Sequence, residues 1–330
     1  MSPPRRKKDA LAEDLARLAG LRSGPLAAED LAYLKATLAR GVSFAAARAA
    51  RVVRERALEG FEPELVACWK RFLDNPVKTD PGCEAKLAAL EALDASGTYD
   101  AEPFEVAARY VQKEPSYGPP VDTATGVRAR AIRALANMGY RDLALVAGEL
   151  LADESPPVRQ AAAEAVAHAG DRGGAGLLLL AAIRGDEDPV VQTAYWSGLL
   201  ELALDHVLPR LRKLLLGPDA DARELAAIAL GNSGKAEAAE LLVEAMEATP
   251  LAAERALSIR ALGLHRSDRA LAVLIGLIAD GPPGDAAEAV RALAPRRFET
   301  KARERIEAAV RARASPALDA VLREAFTADE

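Results

Sequence analysis

From Val127 onwards the chain repeats itself, with segments beginning at Val127, Val158, Val190, Ala222, Glu254 and Asp285 at intervals of 31 or 32 residues. A period of this length belongs to stacked supersecondary units, because one unit is too short to bury its own apolar face and must lean on its neighbours. Two earlier segments begin at Phe44 and Ala85 and extend the series at intervals of 41 and 42 residues. The same columns recur in each unit. Four residues in stand Ala89, Ala131, Ala162, Ala194, Ala226, Ser258 and Ala289, with Arg48 the exception. Eight residues in stand Val52, Leu93, Leu135, Val166, Gly198, Leu230, Leu262 and Leu293. Twelve in, Gly97, Gly139, Gly170 and Gly234 fall where a helix ends in the left-handed conformation. A second apolar stretch follows, as at 143–151, 236–246 and 270–278. Each unit reads helix, turn, helix.

Composition suits that pattern. Half of the 330 residues are apolar but only 4% are aromatic, and about 22% are alanine, the strongest helix former. A small residue in the fourth column lets two helix backbones approach, and the aliphatic residue one turn later fills the groove beside it. The segments Asp153-Glu-Ser-Pro-Pro-Val158 and Asp186-Glu-Asp-Pro-Val190 combine a capping side chain with proline near the first turn.

The run Val127-Arg-Ala-Arg-Ala-Ile-Arg-Ala-Leu-Ala-Asn-Met-Gly139 and the stretch 153–170 resemble HEAT repeats. They are most similar to the short bacterial kind that also occurs in phycobilisome-lyase-like proteins. The resemblance is strong over roughly 127–281, weaker over 44–126, and drifts at the end, where Pro295-Arg-Arg interrupts one closing turn. It implies an all-α solenoid of about nine helix pairs, binding other macromolecules along its faces. Residues 9–330 are then expected to form a single solenoid. Within it, 9–43 is an N-terminal cap, 44–126 two units with long connections, 127–314 the regular units and 315–330 a C-terminal cap. The cap at 9–43 carries two amphipathic helices, at 9–18 and 27–38, and residues 1–8 read as a disordered basic tail.

A formal charge of −6 disfavours a general nucleic-acid coat, and two cysteines, Cys68 and Cys83, are too few for a disulfide framework. No run reaches the ~18 apolar residues of a membrane span, and the start lacks the apolar core of a secretory signal, so a soluble cytoplasmic protein is expected. His168, His206 and His265 lie in different repeats and none begins a His-Glu pair, which the di-iron hydroxylase on a HEAT scaffold requires. The glycine-rich segment 170–176 lacks the Gly-Lys-Ser/Thr ending of a phosphate cradle and follows a helix, so it reads as a turn. No enzyme, metal or cofactor is expected. HEAT-like DNA glycosylases remain the alternative, with Trp69 and Asp74 beside Lys70 and Arg71 offering a passing similarity. Such a groove needs a continuous basic stripe, however, and here Arg210, Arg212 and Lys213 are followed one unit later by Glu237, Glu240, Glu244 and Glu247. A bilin lyase pocket would want aromatics and a thiol that the chain does not assemble.

The expected partner is another protein. Trp196 stands six residues into its unit, in a column otherwise held by Arg133, Glu164, Ile228, Arg260 and Arg291. There it is either an exposed anchor or a residue buried by a helix shift, with Gly198 making room. Insertions at 75–84 and 113–126 bring Lys78 and Tyr117 to what should be the same edge of adjacent layers, as a ledge or as tolerated loop length. Arg210, Arg212, Lys213, Glu240 and Glu244 either face a groove or pair across layers. The apolar stretches 177–180 and 271–278 are either buried between layers or line a groove.

Overall fold

The computed structural model describes the backbone of residues 4–327 and the side chains of residues 11–326. The chain divides after Ala169 into two compact units. The first carries α1 (Pro4–Gly20), α2 (Ala28–Arg40), α3 (Ser43–Glu55), α4 (Glu62–Arg71), the short α5 (Pro76–Thr79), α6 (Glu84–Ala95) and α7 (Glu102–Ala108). A two-stranded antiparallel hairpin follows, β1 (Lys113–Glu114) with β2 (Val121–Asp122). The unit closes with α8 (Thr125–Asn137), α9 (Leu143–Leu150) and α10 (Pro156–Ala169). Here α1, α3, α6, α8 and α10 pack one against the next as a row of first helices, and α2, α4, α7 and α9 each pack against the first helix of the pair that follows.

The second unit opens with α11 (Ala175–Arg184), the sequence partner of α10. It continues with α12 (Pro189–Leu202), α13 (Leu204–Leu215), α14 (Ala220–Asn232), α15 (Ala236–Ala248) and α16 (Ala252–Leu264). It ends with α17 (Asp268–Asp280), α18 (Pro283–Ala292), α19 (Thr300–Arg313) and α20 (Pro316–Thr327). The row of first helices is α12, α14, α16, α18 and the half-repeat α20. Along the chain the described helices make nine pairs and a half, the all-α architecture of a solenoid. The basic stretch expected as a tail is helical from Pro4, while residues 1–3 and 328–330 lie outside the described residues.

Local chemistry explains the boundaries. Asp188, Asp219 and Ser267 accept hydrogen bonds from the first free amides of α12, α14 and α17. Gly97, Gly139, Gly170 and Gly234 adopt φ of +65 to +70°, as their place after the first helices requires. The drift after α18 is a 3-10 turn, Ala294–Phe298, built around Pro295.

Burial follows the columns, with two corrections of register. Val190 and Phe44 are 58% and 56% exposed, so neither opens its unit. The repeat starts one residue later at each, at Val191 and Ala45, which are both buried. Tyr195 then takes the fourth position and Leu199 the eighth, both buried, and Arg48 ceases to be an exception because Ala49 stands in its place.

Glycine lets two pairs of neighbouring helices approach closely. A Cβ on Gly231 would lie 2.6 Å from the carbonyl oxygen of Ala261, and one on Gly263 would lie 2.5 Å from that of Ala292. In an open helix, replacing glycine with alanine gains ~1 kcal/mol. Here Gly263→Ala should instead destabilise by ~1–3 kcal/mol, because backbone must move to admit the methyl group. Urea unfolding of the variant reads the sign.

A partly buried polar ladder, which the apolar columns do not reveal, also ties the layers. An acid and a cation or amide stand six positions apart at Asp80 and Lys86, Asp122 and Arg128, Asp153 and Arg159, and Asp186 and Gln192. Buried Arg128 spans two layers, its guanidinium 2.8 Å from both Asp122 and Asp153. Arg255 lies 2.7 Å from Asp285 of the next layer. The planar, five-donor guanidinium meets two carboxylates at once, which a point-charge ammonium does less well.

Candidate interaction surfaces

The two insertions meet in the first unit, as their positions in the repeat predicted. They are more structured than extended loops: the first folds into α5 and a 3-10 turn, Pro81–Cys83, and the second is the β1–β2 hairpin. The Glu114 carboxylate accepts from the Gly82 amide at 2.7 Å, the Thr123 hydroxyl at 2.7 Å and the Gln112 side-chain amide at 2.6 Å. Partial burial by itself would raise its pKa, but these donors outweigh that and hold the carboxyl below its ordinary range. Gln112 also donates to the Asp80 carbonyl at 3.0 Å.

Beneath lies Asp80, fully buried. Its carboxylate accepts from the Ser43 hydroxyl, from the amides of Ala85 and Lys86 at the start of α6, and from the equally buried Lys86 ammonium at 2.9 Å. The ledge is therefore anchored to the core, with Tyr117 and Lys78 exposed on it. Neither has a place in the polar network. Trp69, by contrast, is buried edge-on against Tyr110, with ring centroids 5.9 Å apart, and offers no face to a nucleobase. Its neighbours are engaged as well: Lys70 pairs with Glu102 at 2.9 Å, and Arg71 donates to the carbonyls of Leu38 and Gly41 that end α2.

In the second unit the charges of the second helices pair across layers. Arg212 of α13 meets Glu244 of α15, and Glu240 of α15 meets Arg269 of α17 at 2.7 Å. Hydrogen bonding to the opposite charge holds Glu240 and Glu244 below the usual carboxylate range and raises Arg212 and Arg269. The pairs are solvent-exposed, so water screens them and they contribute little to stability. Arg210 and Lys213 are exposed, and among the described residues no carboxylate lies within ion-pair distance of either. On α11 the apolar stretch 177–180 is one-sided: Leu178 is buried, whereas Leu180 and, further along, Ile183 are 61% and 60% exposed. The stretch 271–278 buries Leu271, Leu274 and Ile278.

Trp196 is not an exposed anchor. It is 5% exposed, and the corrected register shows why. Counted from Val191 it falls five residues in, the column of Leu90, Ile132, Ala163, Ala227, Ile259 and Val290, every one of them buried. Its indole N–H has no hydrogen-bond partner there. Tyr195, beside it, donates to Asp186 at 3.0 Å.

The residues weighed for chemistry have structural surroundings. Burial pushes the thiols of Cys68 and Cys83 up to about 11. His265 is buried, with Nε2 3.0 Å from the Lys235 carbonyl and Nδ1 2.8 Å from the Ser267 hydroxyl. A carbonyl only accepts, so Nε2 carries the proton, and the ring braces the serine that caps α17. In the glycine-rich segment the Asp171 carboxylate already takes the Gly173 amide at 2.9 Å, an amide that a phosphate cradle would need. Among the described residues no three His, Cys, Asp or Glu side chains gather as metal ligands, and no helix is long and apolar enough to cross a membrane.

Among solved structures, the complex of CpcE and CpcF of phycocyanin lyase from Nostoc sp. PCC7120 is similar at 16% identity and a TM-score of 0.35, covering 87% of this chain and 96% of that one. Human deoxyhypusine hydroxylase in complex with glycerol is similar at 22% identity and a TM-score of 0.32, covering 81% and 94%. No curated protein matches the sequence. The family model for HEAT repeats matches three times, at residues 122–199, 176–263 and 204–294, together just over half of the chain. With the columns, the glycine-closed first helices and the stacked pairs in place, the chain belongs to the HEAT-repeat family.

Proposed function

We propose that this protein is a non-catalytic scaffold or adaptor of the cytoplasm that binds another protein along its second helices. The observation that carries the reading is the mixed charge of that row. Arg212, then Glu240 with Glu244, then Arg269 change sign from layer to layer and engage one another across layers, which breaks the continuous positive stripe that a phosphate backbone requires. Buried Trp69 and Trp196 leave neither indole to stack on a base. The ledge bearing Tyr117 and Lys78, and the cations Arg210 and Lys213, supply surface that a protein of matching charge and shape would use.

Fluorescence anisotropy with labelled duplex and single-stranded DNA near physiological salt, ~0.15 M, should show no binding below ~100 µM. Tagged protein purified from its native host should carry a stoichiometric protein that dissociates as salt is raised. Micromolar DNA binding that is lost on reversing Arg210 and Arg212 to glutamate would replace the scaffold with a HEAT-like DNA glycosylase or another nucleic-acid-acting protein.

A further inference from the structure

A cavity of about 380 Å³ opens in the second unit between α11 and α13. Its floor is Leu199 and Ala203, and Leu179 and Val207 stand on opposite walls. The wall on α11 continues outward as apolar surface. Gly176, Leu179, Leu180 and Ile183 are spaced at three and four residues, so they share one helix face, and the last two are exposed. The wall on α13 is basic. His206 and Arg210 line the cavity, and Lys213 follows on the same face three residues further on. Asp205 lies about 100° round the helix from His206 and stays off that face.

The cations set this groove apart from the rest of the row. Arg212 and Arg269 are occupied by glutamates of neighbouring layers, whereas Arg210 and Lys213 have no carboxylate partner among the described residues. A chain of net charge −6 thus leaves two neighbouring cations unneutralised beside exposed aliphatic side chains. We propose that this groove docks an acidic amphipathic helix of a partner protein, its aliphatic side chains against Leu179, Leu180 and Ile183 and its carboxylates against Arg210 and Lys213. The groove wall from 176 to 183 or from 206 to 213 rises ~10 Å, two turns of a docked helix. A second copy of this chain is a poorer occupant. Its acidic second helix, α15, has its glutamates Glu240 and Glu244 already paired and its Leu241 and Val243 buried.

The proposal rests on the protein-binding reading and names the chemistry of the partner. Gly176 gives a clean test, because a Cβ built there meets nothing within 4 Å, so a large side chain can fill the groove without disturbing the core. The probe is a fluorescein-labelled helical peptide of about fifteen residues, with leucines at i, i+3, i+4 and i+7 flanked by glutamates. A second peptide has lysine for every glutamate. The full-length protein should bind the acidic peptide with a Kd on the order of 10–100 µM and the basic one at least about ten-fold more weakly. Gly176→Trp should weaken the acidic peptide about ten-fold or more. The exposed double variant Arg210→Glu, Lys213→Glu should invert the preference between the peptides, with the circular dichroism of both proteins unchanged. No saturable binding by ~1 mM, equal binding of both peptides, or indifference to Gly176→Trp overturns the groove assignment. A dimer seen by light scattering and abolished by Gly176→Trp would also overturn it, in favour of self-association. If the protein that co-purifies from the host binds Gly176→Trp as well as it binds the native chain, the groove fails while the adaptor stands.

Discussion

Replacing Leu230 with aspartate should destabilise the protein by ~3–5 kcal/mol, read as a lowered urea midpoint in far-UV circular dichroism. Leu230 has no exposed surface and sits in the eighth column of α14, a helix packed between α12 and α16. A carboxylate there finds no water and no cation, and the neighbouring helices leave no room to turn it outward. The same substitution at Leu251 should behave oppositely. That residue is 58% exposed and holds the N-cap position of α16 with no side-chain cap. Leu251→Asp would supply the missing acceptor and should stabilise by ~0.5–1 kcal/mol. An unchanged midpoint for Leu230→Asp would mean that the packed columns are wrongly placed.

The second large effect should come from Asp80. Its partner Lys86 is equally inaccessible, and besides Asp80 its ammonium reaches the Phe72 carbonyl at 3.3 Å. Asp80→Ala removes the counter-ion, the cap of α6 and the acceptor of the Ser43 hydroxyl together. A loss of ~3–5 kcal/mol is expected, most of it the cost of a charge left alone in the core. Adding Lys86→Met removes that charge and should recover a large part of the loss. If the double variant is no more stable than Asp80→Ala, the ion pair is not what holds the ledge.

The architecture was legible because every layer writes it again. Column four is small in seven of the eight units, column eight is aliphatic in all and the twelfth residue is glycine in four, so one misread unit is outvoted by the others. Register within a single unit has no such protection. Val190 and Val191 are adjacent and identical in kind, and Ala194 satisfies the small-residue rule where the true fourth residue, Tyr195, does not. Choosing the wrong valine carried Trp196 from a buried column into a solvent-facing one. The signal that separates them is polar. Asp80 with Lys86, Asp122 with Arg128, and Asp153 with Arg159 are each six apart, and Asp186 with Gln192 fits the series only if the unit starts at Val191. The insertions were placed correctly on one edge because connections between layers can emerge nowhere else. Their hairpin and short helix were not foreseen, because Glu114, Gln112 and Asp80 act through contacts about thirty residues distant in the chain. The groove between α11 and α13 was half visible. Arg210 and Lys213 stood out by charge, but the one-sided burial of α11 depends on what packs behind it.

The two buried thiols carry a practical consequence. Cys68 and Cys83 both belong to the first unit, and the second contains no cysteine. Each is inaccessible, and with a pKa of about 11 neither forms appreciable thiolate near neutral pH while the helices stay packed. A maleimide added to the native protein can therefore react only during the moments when that half of the chain opens. The labelling rate becomes a clock for one half, with the other silent on the same gel, and the chain reports its own local breathing without an engineered probe.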